Sequence, residues 1–356
     1  MKKSFIALAS FLAAGTVFAQ SSVALFGVVD LAVQNASQGN ARVSRLNGVG
    51  GNQFSRIGVR GTEDLGGGLS ASFVLDAGLN VDSGAGALTT TDNLTTTGSG
   101  GLSFSRRSTV SLSSINWGEV RVGRDFVPTY WNLTVFDPFG SAGAGSVNNL
   151  AQGALTRSST VQTAIRASNT IGYFLPSGKG IYGQAMYAVG EKPSSDGVTK
   201  DDGRYYGIRV GYAAGAMNVA ASFGRTTLAS GDVSTANAGA SYTMGIAKIQ
   251  GQYFRDNKNV VSAPSSSNGL MLGVRVSTGA GYVPLSYTKV KDNSATDRNA
   301  SQLALGYVHD LSKRTAVYTT YSRIQNKNGA ALTGGGVAGV ANSAWTGLDV
   351  GIRHTF

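Results

Sequence analysis

The residues able to do chemistry are few and point away from catalysis. Two histidines, His309 and His354, are the only imidazoles in 356 residues, and cysteine is absent. Neither histidine keeps metal-ligand spacing with the other, and a zinc-type centre needs three or four nitrogen and sulfur donors. A Ser-His-Asp hydrolase needs a histidine within reach of a serine and a carboxylate, whereas His354 occupies the outward slot of the alternating C-terminal segment. The run Gly334-Gly335-Gly336 lacks the Gly-x4-Gly-Lys-Ser/Thr pattern of a phosphate cradle, so it reads as loop. No enzyme, cofactor or metal is expected. What remains is charge: 30 Lys and Arg against 19 Asp and Glu, a formal +11. Guanidinium stays charged at any physiological pH and is weakly hydrated, and clusters of it in a pore select anions. The chemistry expected is therefore attraction of anions rather than bond making.

Such charges must be held by some scaffold, and the N-terminus says where it resides. Lys2 and Lys3 precede an apolar stretch from Phe5 to Ala14, followed by Val17-Phe18-Ala19, the pattern of a secretory signal peptide spanning residues 1–19. The apolar run is about ten residues, too short to cross a bilayer as a helix, which takes about 20. Without Lys2 and Lys3 the balance is 28 basic against 19 acidic residues. Export argues against nucleic acid, the other usual partner of a basic chain.

Downstream, no long uncharged apolar run occurs and the mean hydropathy is −0.01. Yet 50 glycines, 6 prolines and abundant Ser, Thr and Tyr are the vocabulary of strands and turns. Period-two segments recur throughout: 23–33, 53–63, 69–79, 104–113, 118–125, 168–176, 180–190, 203–213, 217–226, 235–243, 246–255, 268–277, 281–290, 300–308, 314–324 and 346–356. Seven tight turns alternate with eight longer loops, among them 34–52, 80–103, 126–167, 191–202 and 325–344. An even number of strands with both ends on the periplasmic side is the rhythm of an all-β, 16-stranded antiparallel up-and-down barrel in the outer membrane, forming one domain over 20–356. A barrel suits lipid because it pairs every backbone group and leaves no edge.

Alternation assigns faces. Leu348, Val350, Ile352, His354 and Phe356 point to lipid while Asp349, Gly351, Arg353 and Thr355 point inward; Leu270, Leu272, Val274 and Val276 oppose Met271, Gly273 and Arg275; Ile57 and Val59 oppose Arg56 and Arg60. Arginines take the lumen face because one at the lipid midplane costs about 2 to 4 kcal/mol. Phe26, Tyr206, Tyr212, Tyr253, Tyr282 and Tyr287, near strand ends, suit interfacial girdles. Asp30, Glu63, Asp64, Asp76, Glu119 and Asp125 lie close enough in sequence to inward positions to pair with arginines.

The hairpin Ser55-Arg-Ile-Gly-Val-Arg-Gly-Thr-Glu-Asp-Leu-Gly-Gly-Gly-Leu69 closely resembles the general porins of Gram-negative outer membranes, in particular the beta-proteobacterial, anion-selective branch. Val23-Ala-Leu-Phe-Gly-Val-Val-Asp30, Gly123-Arg-Asp125, Phe136-Asp-Pro-Phe-Gly140, Arg166-Ala-Ser-Asn-Thr-Ile171, Leu311-Ser-Lys-Arg-Thr315 and Gly351-Ile-Arg-His-Thr-Phe356 extend the resemblance in family order. It implies a homotrimer among outer-membrane lipids and lipopolysaccharide, a passive channel for small anionic solutes, and a third external loop folded inward to narrow the bore. Here that loop is 126–167, carrying Pro128, Tyr130, Trp131, Asp137 and Pro138. The resemblance also implies an arginine cluster on the facing wall, carried by Arg56, Arg124 and Arg166, with Arg60 two pleats from Arg56, and a terminal Phe356 read by the barrel-assembly machinery. Asp137 is the one obvious carboxylate in the loop, fewer than many relatives carry, a departure that argues against a strong transverse field. Two alternatives stay open: a substrate-specific anion or sugar channel, for which Tyr130 and Trp131 are the sole aromatic hint, and a structural or adhesive surface barrel.

Overall fold

Alternating side chains close the sheet. The computed structural model describes residues 22–90, 92–94, 96–97, 101–151, 162–176, 178, 180–259, 264–293 and 295–356; the expected leader lies outside them, as do 152–161 of the long loop. Sixteen strands form the barrel: β1 Ser22–Gln38, β2 Arg56–Gly66, β3 Leu69–Asn80, β4 Arg107–Ser114, β5 Gly118–Phe126, β6 Arg166–Phe174, β7 Ile181–Ala188, β8 Tyr205–Ala214, β9 Met217–Thr226, β10 Val233–Met244, β11 Ala247–Lys258, β12 Ser265–Ser277, β13 Gly281–Asp292, β14 Asn299–Asp310, β15 Thr315–Lys327 and β16 Trp345–Thr355. Each is antiparallel to its chain neighbour, and β1 closes the cylinder on β16 from Val28↔Thr355 to Gln38↔Trp345.

The outward rows are apolar as the alternation requires: Leu348, Val350 and Ile352 are exposed to the lipid side, while Asp349 between them is fully buried within. Phe356 seals the seam, its backbone exchanging hydrogen bonds with Gly27. A side chain at Gly27 would run into the Phe356 ring, so the seam needs glycine there. Tyr206, Tyr212, Tyr253 and Tyr287 are exposed on the outer wall. Phe26 and Tyr282 do not, a correction to their sequence reading: both line the bore, because strand parity, with Leu25 and Leu285 outward, overrides aromatic type.

The first external connection departs from a simple loop. Residues Ala41–Asn47 form a short strand that pairs with the upper half of β1, where β2 has not yet begun. Residues 48–55 then turn into the barrel before β2 starts at Arg56.

The long loop also enters the barrel. It opens with α1 Pro128–Val135, whose Pro128 at the first turn sacrifices no helical hydrogen bond, and continues through a short helix, α2 Asn148–Ala151. Lumen-facing amides hold its backbone along the wall. Asn237 donates to the Thr129 carbonyl at 3.0 Å, Gln252 to Leu133 at 3.2 Å, Gln250 to Val135 at 3.3 Å and Gln302 to Ala144 at 2.8 Å. The Asp349 carboxylate receives the Ala144 amide at 3.1 Å. Beneath the loop, Leu133, Val147 and Leu150 pack on Phe254, Met271, Ile324 and Trp345, so part of the inner wall is an apolar core rather than a wetted surface. Gly239 and Gly273 leave the space that Phe136 and Pro138 fill.

Candidate functional site

Where the inward loop faces the opposite wall, a cavity of 620 Å³ remains open in the bore. Three elements build it: α1 and the turn after it, the inward segment 48–55, and the wall of β2 to β4 with β12 and β13. Among the described residues five arginines line it, Arg56, Arg60, Arg106, Arg107 and Arg275, against one carboxylate, Asp76. Arg106 neutralises that carboxylate at 3.2 Å.

Aromatic rings fix the arginines. Arg106 lies between Phe54 and Phe126, 5.4 and 5.7 Å from their ring centres; Arg60 covers Phe26 at 5.3 Å; Arg275 covers Tyr282 at 4.3 Å. A guanidinium face on an aromatic ring gains cation–π attraction. The N–H edges are left for hydrogen bonds. Arg275 spends its own on the Pro138 carbonyl, fixing the turn of the loop. Arg56 donates to the Phe54 carbonyl at 3.0 Å. Among the described residues neither Arg56 nor Arg60 forms an ion pair.

Of the residues singled out by sequence, Arg56, Arg60, Tyr130 and Trp131 meet at the cavity. Arg124, Arg166, Asp137, Pro138 and Pro128 do not line it. Arg124 donates to the Ser105 carbonyl at 2.7 Å, to Thr90 at 3.0 Å and to Ser168 at 2.8 Å, tying the second external loop to β6. By parity Arg124 falls outside the inward row of Glu119, Arg121 and Asp125, and it lies opposite the slip in the pairing of β5 with β6 between Ala167 and Thr170. Arg166, just beyond the slip, is covered by the Phe126 ring at 4.3 Å. Pro128 is buried at the start of α1, and Pro138 spends its carbonyl on Arg275.

Asp137 faces the loop's own backbone. Only 2% exposed, it accepts the amides of Phe139 at 3.0 Å, Ser141 at 2.9 Å and Val147 at 3.0 Å. Burial pushes its carboxyl up to about 6, against the pull of those amides and of Arg275. The folded loop thus takes a proton more readily than a free aspartate, and what this group contributes to stability is present at acid pH and lost as pH rises from about 4 through about 6. Protonation also removes one negative charge beside the bore. Lowering the pH from about 7 to about 5 should raise anion preference, and reversal potentials of Asp137→Asn should lack that step. A step of equal size in the variant would mean another group titrates.

The other carboxylates divide their work. Glu119 and Asp125 pair with Arg121 at 2.9 and 2.6 Å, as expected of inward neighbours. Asp30 instead collects the amides of Gly51, Asn52 and Gln53 at 3.2, 3.0 and 2.7 Å, with the Tyr318 hydroxyl also donating to it. Sequence reasoning passed over Arg106, Arg107 and Arg275 as site residues. Arg275 already stood on the inward face beside Met271, and Arg107 shares the inward row of Thr109 and Ser111, so parity was the signal available for both.

The comparisons agree with this geometry. The sequence pattern of the Gram-negative porin family matches residues 5–329. Outer membrane porin protein 32 of Delftia acidovorans is 39% identical with all of both chains covered, and an outer membrane porin protein of Bordetella pertussis is 28% identical, again over the full length of both. A solved structure, an anion-selective porin from Comamonas acidovorans, superposes with a TM-score of 0.82 at 36% identity, over 95% of this chain and 100% of that one. Lipid-facing rows, a closed 16-stranded wall and an inward loop thus coincide with full-length similarity, and the chain belongs to the Gram-negative porin family of the outer membrane.

Proposed function

We propose that this porin is a passive, water-filled diffusion channel for small hydrophilic solutes that favours anions at an arginine-lined constriction. The observation that carries the reading is the charge count at the cavity, five guanidiniums facing one carboxylate already paired to one of them. Arg56 and Arg60 are the ion contacts, Arg106 and Arg107 supply field, and Arg275 positions the loop. Low-dielectric walls focus that field along the axis and raise the local anion concentration. The name of the Comamonas relative accords with this reading. Reversal potential under a potassium chloride gradient across a planar bilayer tests it: the purified protein should give an anion-selective potential that weakens with salt, and a zero or cation-selective potential refutes it.

The proposal includes residues 1–19 as a cleaved leader, a homotrimer in lipid and lipopolysaccharide, and Phe356 as the signal for barrel assembly. An apolar recess on the outer wall, where Leu31, Val33, Val317, Val350 and Ile352 gather, supports contact with a neighbouring copy. Cross-linking in native membranes should give a three-chain limit.

A further inference from the structure

We propose that the constriction discriminates among organic anions and prefers a planar aromatic ring bearing a carboxylate, the ring stacking on Trp131 and the carboxylate meeting Arg56 and Arg60. The inference rests on the anion-pore reading and deepens it. Attraction of anions needs only charge and water, and elsewhere on the inner wall single rings each carry an arginine, Phe174 under Arg121 and Tyr182 under Arg209. At the cavity the rings gather, with Phe26, Phe54, Phe126, Tyr130, Trp131 and Tyr282 interleaved with the guanidiniums.

Most of these rings are already engaged. Phe26, Phe54, Phe126 and Tyr282 each carry an arginine, and Tyr130 is buried against Phe126, stacked at 5.5 Å. Trp131 is different. It is half-buried, leans on Phe126 at 5.2 Å with the planes tilted by 56°, and has no arginine over it among the described residues. That leaves indole surface on the bore side for a second ring, with offset or tilted geometry available. Across the same cavity Arg60 is exposed, lies over Phe26 and makes no side-chain hydrogen bond among the described residues, and Arg56 has given one donor to a carbonyl. A planar fork of donors fits a carboxylate through two parallel bonds. The volume of 620 Å³ lies within the range of small-molecule sites, about 300 to 1,000 Å³. A neutral sugar fits less well, since arginine offers donors and no acceptor and Arg106 occupies the one carboxylate.

The test is block of chloride current through the purified full-length porin in planar bilayers by benzoate, cyclohexanecarboxylate and acetate. These share one charge; the first two share size, and only benzoate has a π face. Half-block by benzoate is expected at roughly fivefold lower concentration than by cyclohexanecarboxylate, with acetate weaker still. Trp131→Leu should bring benzoate and cyclohexanecarboxylate together, and Trp131→Phe should keep them apart. The ratio between the two blockers cancels any change in bore width. Equal half-block in the unmodified protein overturns the proposal without recourse to a variant, and an undiminished ratio in Trp131→Leu overturns the assignment to Trp131. Absence of anion preference in plain potassium chloride is a separate result, which removes the pore reading itself.

Discussion

Replacing Arg56 and Arg60 together by glutamine is expected to lower the anion-to-cation permeability ratio roughly tenfold, the lower end of what focused charge contributes, with the barrel intact. The choice of these two follows from what the others hold. Arg106 covers Asp76, so its loss would bare a negative charge as well as remove a positive one. Arg275 carries the Pro138 carbonyl, and its loss would move the loop. Arg56 and Arg60 carry no ion pair among the described residues, and glutamine keeps much of their reach and polarity. The effect should be large at about 0.1 M salt, where the Debye length is about 10 Å, and small at about 1 M, where it is about 3 Å. Arg124→Gln is the informative contrast. It should leave the ratio near its original value while loosening the contacts to Ser105, Thr90 and Ser168, seen as faster proteolysis of the second external loop. An unchanged reversal potential in the double variant, or a large change in Arg124→Gln, would move the ion contact from the cavity to the wall behind it.

Why the strands were legible and parts of the site were not has a physical answer. Lipid enforces parity: Leu348, Val350 and Ile352 cannot exchange places with Asp349, Gly351 and Arg353 without burying charge in hydrocarbon, so alternation in the sequence is alternation in space. Inside the barrel no such constraint applies. Gln250, Gln252 and Gln302 look the same in sequence whether they meet water or, as here, the backbone of the inward loop. Parity itself sets Arg124 off the inward row of Glu119, Arg121 and Asp125, beside the slip between Ala167 and Thr170, although its motif resembles that of a pore arginine. Phe26 and Tyr282 depart the other way, because their place in the pleat overrides aromatic type and turns both into the bore. Residues 48–55 carry no such signal: the stretch is rich in glycine, and what holds it inward is Asp30 acting with Tyr318 at the other end of the chain.

The two inward segments also support one another, which explains why the constriction can be narrow yet defined. Gly143 at the tip of the long loop lies so close to the Gly51 carbonyl that a side chain could not be inserted, and its φ of +68° suits glycine as well. Asp349 holds the amide of the neighbouring Ala144 while Asp30 holds that of Gly51. Two buried carboxylates on β16 and β1, strands paired across the barrel seam, thus set the position of both walls of the cavity.

Asp30→Ala should therefore open the constriction from the side of the first loop. Three amides and the Tyr318 hydroxyl lose their acceptor, and hydrogen bonds to a charged group contribute about 1.5 to 3 kcal/mol each. The bore is wet, so freed amides recover part of this from water, and Asn52 keeps its bonds to Arg353 and Tyr282. A net loss of about 4 kcal/mol, below the roughly 6 kcal/mol at which the sum of four such bonds starts, remains. This corresponds to roughly a thousandfold greater population of the released segment. Phe54 would then leave Arg106, and the cavity would widen. Single-channel conductance should rise, the anion-to-cation ratio should fall, and amide exchange at Gly51, Asn52 and Gln53 should accelerate by up to that factor. The thermal transition of the barrel should move little, because β1 keeps its ladders to β2 and β16 whatever Asp30 holds. Asp30→Asn, which retains one oxygen in the same place, should fall between the two. Conductance and exchange both unchanged in Asp30→Ala would show that Asn52, Arg353 and Tyr282 suffice to hold the segment, and the role assigned to Asp30 would pass to them.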